Sequence, residues 1–240
     1  MPLASGQSPA DLAVFALAVG ILPLVSIFRG RRIGQDPAGP LIPSYWLTIA
    51  RGAAVTVLVL GLWRLTGRPL DALGLATPAG AGLYCFAIVG ILAFVMAGQI
   101  VFFDRIVKPG RLAKLRSQLP EMKILPRNGR ELAVFLLVAV TAGIWEELLY
   151  RGFLIWFLAP YATLWGAVAL STAVFALGHV YQGWRGLPRS GFLGLLFALG
   201  YVASGSLWWL IALHALVDVY GGLVAWSVMR APVPAAVQRA

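Results

Sequence analysis

Seven long apolar stretches constrain the fold of this 240-residue chain more than any other feature of its sequence. Each is long enough to cross the ~30 Å hydrocarbon core of a bilayer as an α-helix, although glycines interrupt the sixth, which needs its flanking residues. Because a bilayer satisfies no backbone polar group, such stretches must form helices. The sequence therefore predicts an all-α, polytopic transmembrane bundle of about 7 (6–8) spans. The stretches are Leu12–Phe28, Tyr45–Trp63, Gly80–Phe103, Leu132–Leu158, Leu164–Tyr181, Phe192–Ala203 and Leu207–Met229.

The distribution of charge agrees with a membrane protein and predicts its orientation. Only 12% of the residues are charged, whereas soluble domains contain about 25%. Of the 19 basic residues, 15 lie in alternate loops, and the opposite side holds only Arg64 and Arg68. The positive-inside rule places the basic loops in the cytoplasm, so the N-terminus lies outside and the C-terminus inside. The net charge of +10 then reflects topology, and nucleic acid is not an expected partner.

The loop after the third span predicts a helix at the membrane surface. Leu112, Leu115, Leu119 and Met122 recur at intervals of three and four residues among basic side chains. This pattern is typical of an amphipathic helix whose basic face contacts anionic headgroups of membrane lipids, although a solvated basic loop remains the alternative. The chain accordingly divides into N-terminal transmembrane helices (1–103), a basic cytoplasmic loop (104–130), a core (131–229) and a tail (230–240).

Ionisable residues inside the later spans are candidates for a functional site, because they are costly in hydrocarbon. Glu147 and Arg151 are four residues apart and can pair on one helix face. Glu146 lies about 100° away around the helix, so Arg151 leaves it unneutralised. Such a carboxylate can take a proton from water and return it to a leaving amine. The alternative is that both glutamates are packing residues, paired with Arg151 and Arg51.

The only two histidines of the chain, His179 and His214, both lie in apolar segments. His214 and Asp218 share a helix face, so Asp218 could orient the imidazole ring or fix its tautomer. Phe175 is one turn before His179 and could form a wall of the site. Alternatively, each histidine is an interhelical hydrogen-bonding residue. Straight upright helices would place the two histidines ~15 Å apart in height, which conflicts with a shared site.

These residues carry a resemblance to a known family. The motifs Glu-Glu-x-x-x-Arg (Glu146 to Arg151), Phe-x-x-x-His (Phe175 to His179) and His-x-x-x-Asp (His214 to Asp218) occur in this order in separate apolar segments. From about Glu131 to Tyr220 the chain resembles the CPBP family, also called Abi, which includes type II CAAX prenyl endopeptidases and bacteriocin-processing proteins. Each motif alone is weak, but the ordered trio in a polytopic chain is specific.

The resemblance implies an intramembrane glutamic protease. Glu146 would be the general base, His179 would hold and activate water, and His214 with Asp218 would stabilise the oxyanion; Glu147, Arg151 and Phe175 would support them. Some members have Asn where this chain has Asp218, and an ionised aspartate would repel an oxyanion. Asp218 must therefore be protonated, orient His214, or bind a metal.

Whether the site uses a metal is open at the level of sequence. Glu146, His179 and His214 are a ligand set that zinc accepts. A zinc ion bound by Glu146 would, however, remove the obvious base, and the chain lacks a His-Glu-x-x-His motif. We therefore expect no cofactor, with zinc as the alternative.

The expected substrate is a membrane-associated peptide or protein, cut near its C-terminus or in its membrane-embedded part. Abundant Ala, Gly and Arg indicate a bacterial chain and a multi-pass protein of the inner membrane, where CAAX prenylation is not expected. The alternative is a non-catalytic membrane protein, either an immunity factor or a small transporter that uses the same polar groups for ion transfer.

The predicted orientation can be tested directly. A reporter enzyme that works only in the cytoplasm, fused to the C-terminus, is expected to be active, because the basic loops hold that side of the bundle in the cytoplasm. Activity confined to a periplasmic reporter at the same position would show the opposite orientation.

Overall fold

The computed structural model is 85% helical and describes residues 3–35, 39–118, 124–183 and 186–231. Within these ranges there is no β-strand, and the predicted all-α polytopic bundle is confirmed. The ten α-helices of these ranges are α1 (Pro9–Ala16), α2 (Leu22–Gln35), α3 (Leu41–Leu65), α4 (Ala81–Val101), α5 (Phe103–Ile106), α6 (Pro109–Gln118), α7 (Gly129–Glu146), α8 (Ile155–Gly178), α9 (Gly186–Ser204) and α10 (Trp208–Arg230).

Six of the helical segments among the described residues are long and apolar enough to cross a membrane. The longest runs from Gly129 to Gly178 and consists of α7, a π-helical stretch and α8. It is two spans joined by a kink, because Ala162 and Thr163 leave helical geometry and Thr163 has a φ of 59°. Pro160 lies just before the kink, and its missing N–H weakens the helix there. Counting both halves gives the seven spans predicted from the apolar pattern.

The centre of the bundle is α7, which packs mainly against α10 and α3. Gly143 allows the contact with α10, since a Cβ on this residue would lie 2.8 Å from the carbonyl oxygen of Ile211. Gly52 of α3 faces Trp145 in the same way, with 2.4 Å between an added Cβ and the indole ring. The backbone therefore approaches closely on both sides of the turn that leads into Glu146.

The helix α7 begins at a well-defined cap. The Asn128 side chain accepts a hydrogen bond from the Glu131 amide at 3.0 Å, and the Glu131 carboxylate accepts one from the Arg127 amide at 2.7 Å. Both contacts satisfy backbone donors that a helix start would otherwise leave unpaired. This cap sets the register in which the glutamates further along the segment face the core.

The loop helix predicted after the third span is present as α6. Leu112 is buried in a small apolar cluster with Phe103 and Val228, so this face packs on the protein. Arg116 donates to the carbonyl oxygens of Val228 and Ala231 and so ties α6 to the end of α10. The predicted positions Leu119, Met122 and Lys123 lie outside the described residues, and contact with lipid headgroups stays a prediction.

Candidate active site

The Glu147–Arg151 pair predicted from their spacing is the centre of the polar site. Arg151 Nη1 donates to Glu147 Oε1 at 2.8 Å, and both side chains are almost fully buried. Arg151 Nη2 also donates to the Gly194 carbonyl of α9 at 3.0 Å, and the guanidinium carbon lies 4.3 Å from the ring centre of Phe175. The arginine therefore links the π-helical stretch Glu147–Leu154 to two neighbouring helices.

The same carboxylate also holds His214, a contact that sequence reasoning missed. His214 Nδ1 lies 2.6 Å from Glu147 Oε1, and a carboxylate oxygen at this distance accepts a hydrogen bond from the ring. This contact orients the imidazole and fixes which nitrogen faces the cavity, the role considered above for Asp218. No local pattern predicts this contact, because 67 residues separate the two partners.

Glu146 lies where the two histidines converge. Its Oε2 atom is buried and has no hydrogen-bond partner among the described residues. His179 Nε2 is 3.6 Å and His214 Nε2 is 3.9 Å from this oxygen. The large difference in height between the two histidines, expected from straight upright helices, is therefore wrong. The kink at Ala162 and Thr163 starts the helix that carries His179 in a new direction, so this helix and α10 need not run parallel.

His179 is held by its own helix. Its Nδ1 lies 2.8 Å from the Phe175 carbonyl oxygen, and since a carbonyl only accepts, Nδ1 carries the hydrogen. In the neutral ring, Nε2 then presents a lone pair towards Glu146. The Phe175 ring packs 4.4 Å from the imidazole, so the wall predicted from their spacing is present.

Asp218 lies at the rim of this group. Its Oδ2 is 3.8 Å from His214 Nε2, too far for a hydrogen bond, and 40% of its side chain is exposed. The structure thus brings Glu146, His179, His214 and Asp218 to one place, with Glu147, Arg151 and Phe175 behind them.

The side chains of four of these residues line a cavity of about 670 Å³: Glu146, His179, His214 and Asp218. The cavity also has a basic wall from helices of the N-terminal part, formed by Arg29 of α2 and Arg51 of α3. Sequence reasoning missed this wall, because Arg29 was counted as a loop charge and Arg51 as an alternative partner for the glutamates. Among the described residues Arg51 makes no ion pair; its guanidinium lies 5.6 Å from the Trp145 ring.

Glu146, His179 and His214 are the residues that could bind a zinc ion. Two imidazole nitrogens and a carboxylate oxygen are suitable atoms, but no group of three His, Cys, Asp or Glu residues in the described ranges is arranged to hold a metal ion. A zinc ion on Glu146 would also leave Glu147 as the remaining base, and Glu147 Oε1 is already bound by Arg151 and His214.

The fold and the site define a multi-pass membrane protein with a glutamate–histidine centre inside its helical bundle. Residues 128–220 match the family described as "Type II CAAX prenyl endopeptidase Rce1-like". This part of the chain is therefore similar to that family of membrane proteases, which agrees with the resemblance carried by the three motifs. Comparison with curated proteins and with solved structures gives no match.

Replacing Arg151 by alanine is expected to destabilise the fold. The change leaves Glu147 with His214 as its only partner in a buried site, and removing one member of a buried ion pair costs about 3–5 kcal/mol. The measurement is folded yield and melting temperature in detergent. Arg64→Ala, which removes an exposed arginine from α3, is the matched control and should melt like the parent protein. Equal melting of all three proteins would contradict the assigned role of Arg151.

Proposed function

We propose that this protein is an intramembrane endopeptidase that hydrolyses a peptide bond near the C-terminus, or in the membrane-embedded part, of a peptide or protein substrate. The observation that carries the proposal is the unpaired, buried Oε2 atom of Glu146 with the Nε2 atoms of His179 and His214 around it. A buried carboxylate without a hydrogen bond is energetically costly. Ionisable residues in membrane segments are therefore rare and usually belong to functional sites.

The distances around Glu146 suit a bound water molecule. Separations of 3.6 Å and 3.9 Å are too long for direct hydrogen bonds, but they let one water reach both the carboxylate and an imidazole. Such a water donates one hydrogen to Glu146 Oε2 and the other to the lone pair of His179 Nε2. Both contacts orient its oxygen lone pairs towards a substrate carbonyl in the cavity.

The proposed reaction follows from this arrangement. Glu146 takes a proton from the water as its oxygen attacks the scissile carbonyl carbon, and a tetrahedral oxyanion forms. His214 in its imidazolium form donates from Nε2 to the oxyanion, while the Glu147 carboxylate balances the charge at Nδ1. Glu146 then returns the proton to the leaving amine as the C–N bond breaks, which yields a carboxylic acid and an amine.

We assign Asp218 as the second oxyanion donor. Only its protonated form can donate, because an ionised carboxylate repels an oxyanion. The distance of 3.8 Å from His214 Nε2 places both groups on the same side of the cavity. His214 itself is oriented by Glu147, so Asp218 is free for the substrate.

The first test separates a protease from a structural cluster or an ion path. Glu146→Gln removes the base and His179→Ala removes the group that orients water. Each is expected to lower kcat by roughly 10²–10⁴-fold without lowering the melting temperature. The assay is cleavage of a fluorogenic membrane-associated peptide by purified protein. Thr141→Val, on α7, removes a hydroxyl that bonds only carbonyls of its own helix and should keep full activity. Loss of folding in both site variants would point to a structural cluster.

The role of Asp218 has its own pair of variants. Asp218→Asn keeps a hydrogen-bond donor that cannot ionise, so activity should persist. The activity of this variant should also not fall at the higher pH values at which the aspartate of the parent protein loses its proton. Asp218→Ala should lose activity at every pH. Equal activity of the alanine variant and the parent protein would exclude Asp218 from the reaction.

The proposed mechanism requires no metal ion, since Glu146 and His179 suffice to hold and deprotonate water. Purified protein is expected to contain less than one zinc per chain and to keep its rate in EDTA. Loss of activity in the chelator, with recovery on adding zinc, would contradict this mechanism and make Glu146, His179 and His214 metal ligands. Metal content measured by mass spectrometry provides the readout that is independent of turnover.

A further inference from the structure

Two arginines of the basic wall, Arg29 and Arg51, have no acidic partner among the residues that the structure describes. Arg29 donates only to the hydroxyls of Thr48 and Ser44, at 3.1 Å and 3.2 Å, and Arg51 has no hydrogen bond within the described part of the chain. The Nε atoms of both are buried and unpaired there. Both side chains line the cavity that contains Glu146.

This state is unfavourable for packing residues. Arg29 and Arg51 are half-buried, and charges with so little exposure are normally paired. Arg68, also half-buried, pairs with Asp11, and the buried Arg151 pairs with Glu147. Arg29 and Arg51 are close enough to repel each other. Each lies over an aromatic ring, at 5.1 Å and 5.6 Å. These contacts offset part of the cost but satisfy no Nε–H donor.

We infer that Arg29 and Arg51 form an anion subsite that binds the terminal α-carboxylate of the substrate. The inference rests on the proposed function and deepens it. The planar guanidinium matches a carboxylate with two parallel hydrogen bonds. The cavity connects this wall with Glu146, so one bound peptide can reach both.

The substrate terminus fits this wall better than a lipid phosphate. The arginines line the same cavity as the reacting groups, and Glu146 lies within electrostatic reach of Arg29. Both arginines also come from α2 and α3, outside the matched residues 128–220. The family domain then supplies the chemistry and the N-terminal helices select the substrate end.

The test measures binding in a protein that cannot turn over. The probe is a fluorescein-labelled apolar peptide, made as the free acid and as the C-terminal amide, and its binding to the Glu146→Gln protein is followed by anisotropy. The acid is expected to bind about tenfold more tightly than the amide, since charge-assisted hydrogen bonds contribute on this scale. Adding Arg29→Gln or Arg51→Gln should remove this preference. Arg31→Gln and Arg64→Gln, on the same two helices but exposed, should keep it.

Three results would overturn the inference. The first is equal binding of acid and amide by the Glu146→Gln protein. The second is that the bound anion is a lipid headgroup. The arginine variants would then change only the stabilisation of the protein by phosphatidylglycerol in nanodiscs, and the preference for the acid peptide would persist. The third is a structural role, in which Arg51→Gln lowers the melting temperature as much as Arg151→Ala. We expect no decrease for Arg51→Gln, because it removes an uncompensated charge.

The two proposals fail in different ways. Tight binding of the acid without cleavage by the parent protein would support the anion subsite and reject the protease. Cleavage of acid and amide with equal kcat/KM would keep the protease and reject the subsite. A higher KM with unchanged kcat for Arg51→Gln on the acid peptide is the expected result, since the arginine acts on binding and not on the reacting atoms.

Discussion

The carboxylate of Glu147 is the interaction on which the rest of the site depends. One oxygen, Oε1, accepts from Arg151 at 2.8 Å and lies 2.6 Å from His214 Nδ1. Arg151 extends the contact to the Gly194 carbonyl, so a single buried charge joins the π-helical stretch, α9 and α10. Buried ion pairs add little net stability over apolar packing, but breaking one is costly. The arrangement therefore fixes the relative positions of the helices, and with them the direction of His214 Nε2.

Two adjacent glutamates take different states because their surroundings differ. Glu147 Oε1 is bound by an arginine and an imidazole, whereas Glu146, about a quarter of a turn away, accepts no hydrogen bond at Oε2 from the described residues. The close approach of α7 to α10 at Gly143, one turn earlier, brings this free oxygen to the histidines. Substituting Glu147 therefore tests stability, and substituting Glu146 tests the proposed chemistry, although the two are neighbours in sequence.

The features that could be predicted from the sequence were contacts between residues close in the chain and ionisable residues within apolar spans. The Glu147–Arg151 pair follows from helical spacing, and Glu146 and the histidines are noticeable because ionisable residues are rare in apolar spans. The contact between His214 and Glu147 could not be predicted, since it depends on how two helices cross. The kink at Thr163 had only Pro160 as a local signal, and without it the heights of the histidines were misjudged. Arg51 resembled a counter-charge for the glutamates, because a sequence does not show which wall of a cavity a residue occupies.

In the proposed function, the charges of the cavity orient the substrate. Glu146 repels a carboxylate, and the guanidinium groups of Arg29 and Arg51 attract one, so an anionic peptide end is driven to the basic wall and away from the base. The neutral peptide bonds that precede the end are then the groups left beside Glu146 and His179. A substrate bound the other way would place its carboxylate against Glu146 in a site of low dielectric constant, where like charges repel strongly. On this assignment, the N-terminal helices determine which bond is cut without contacting the atoms that react.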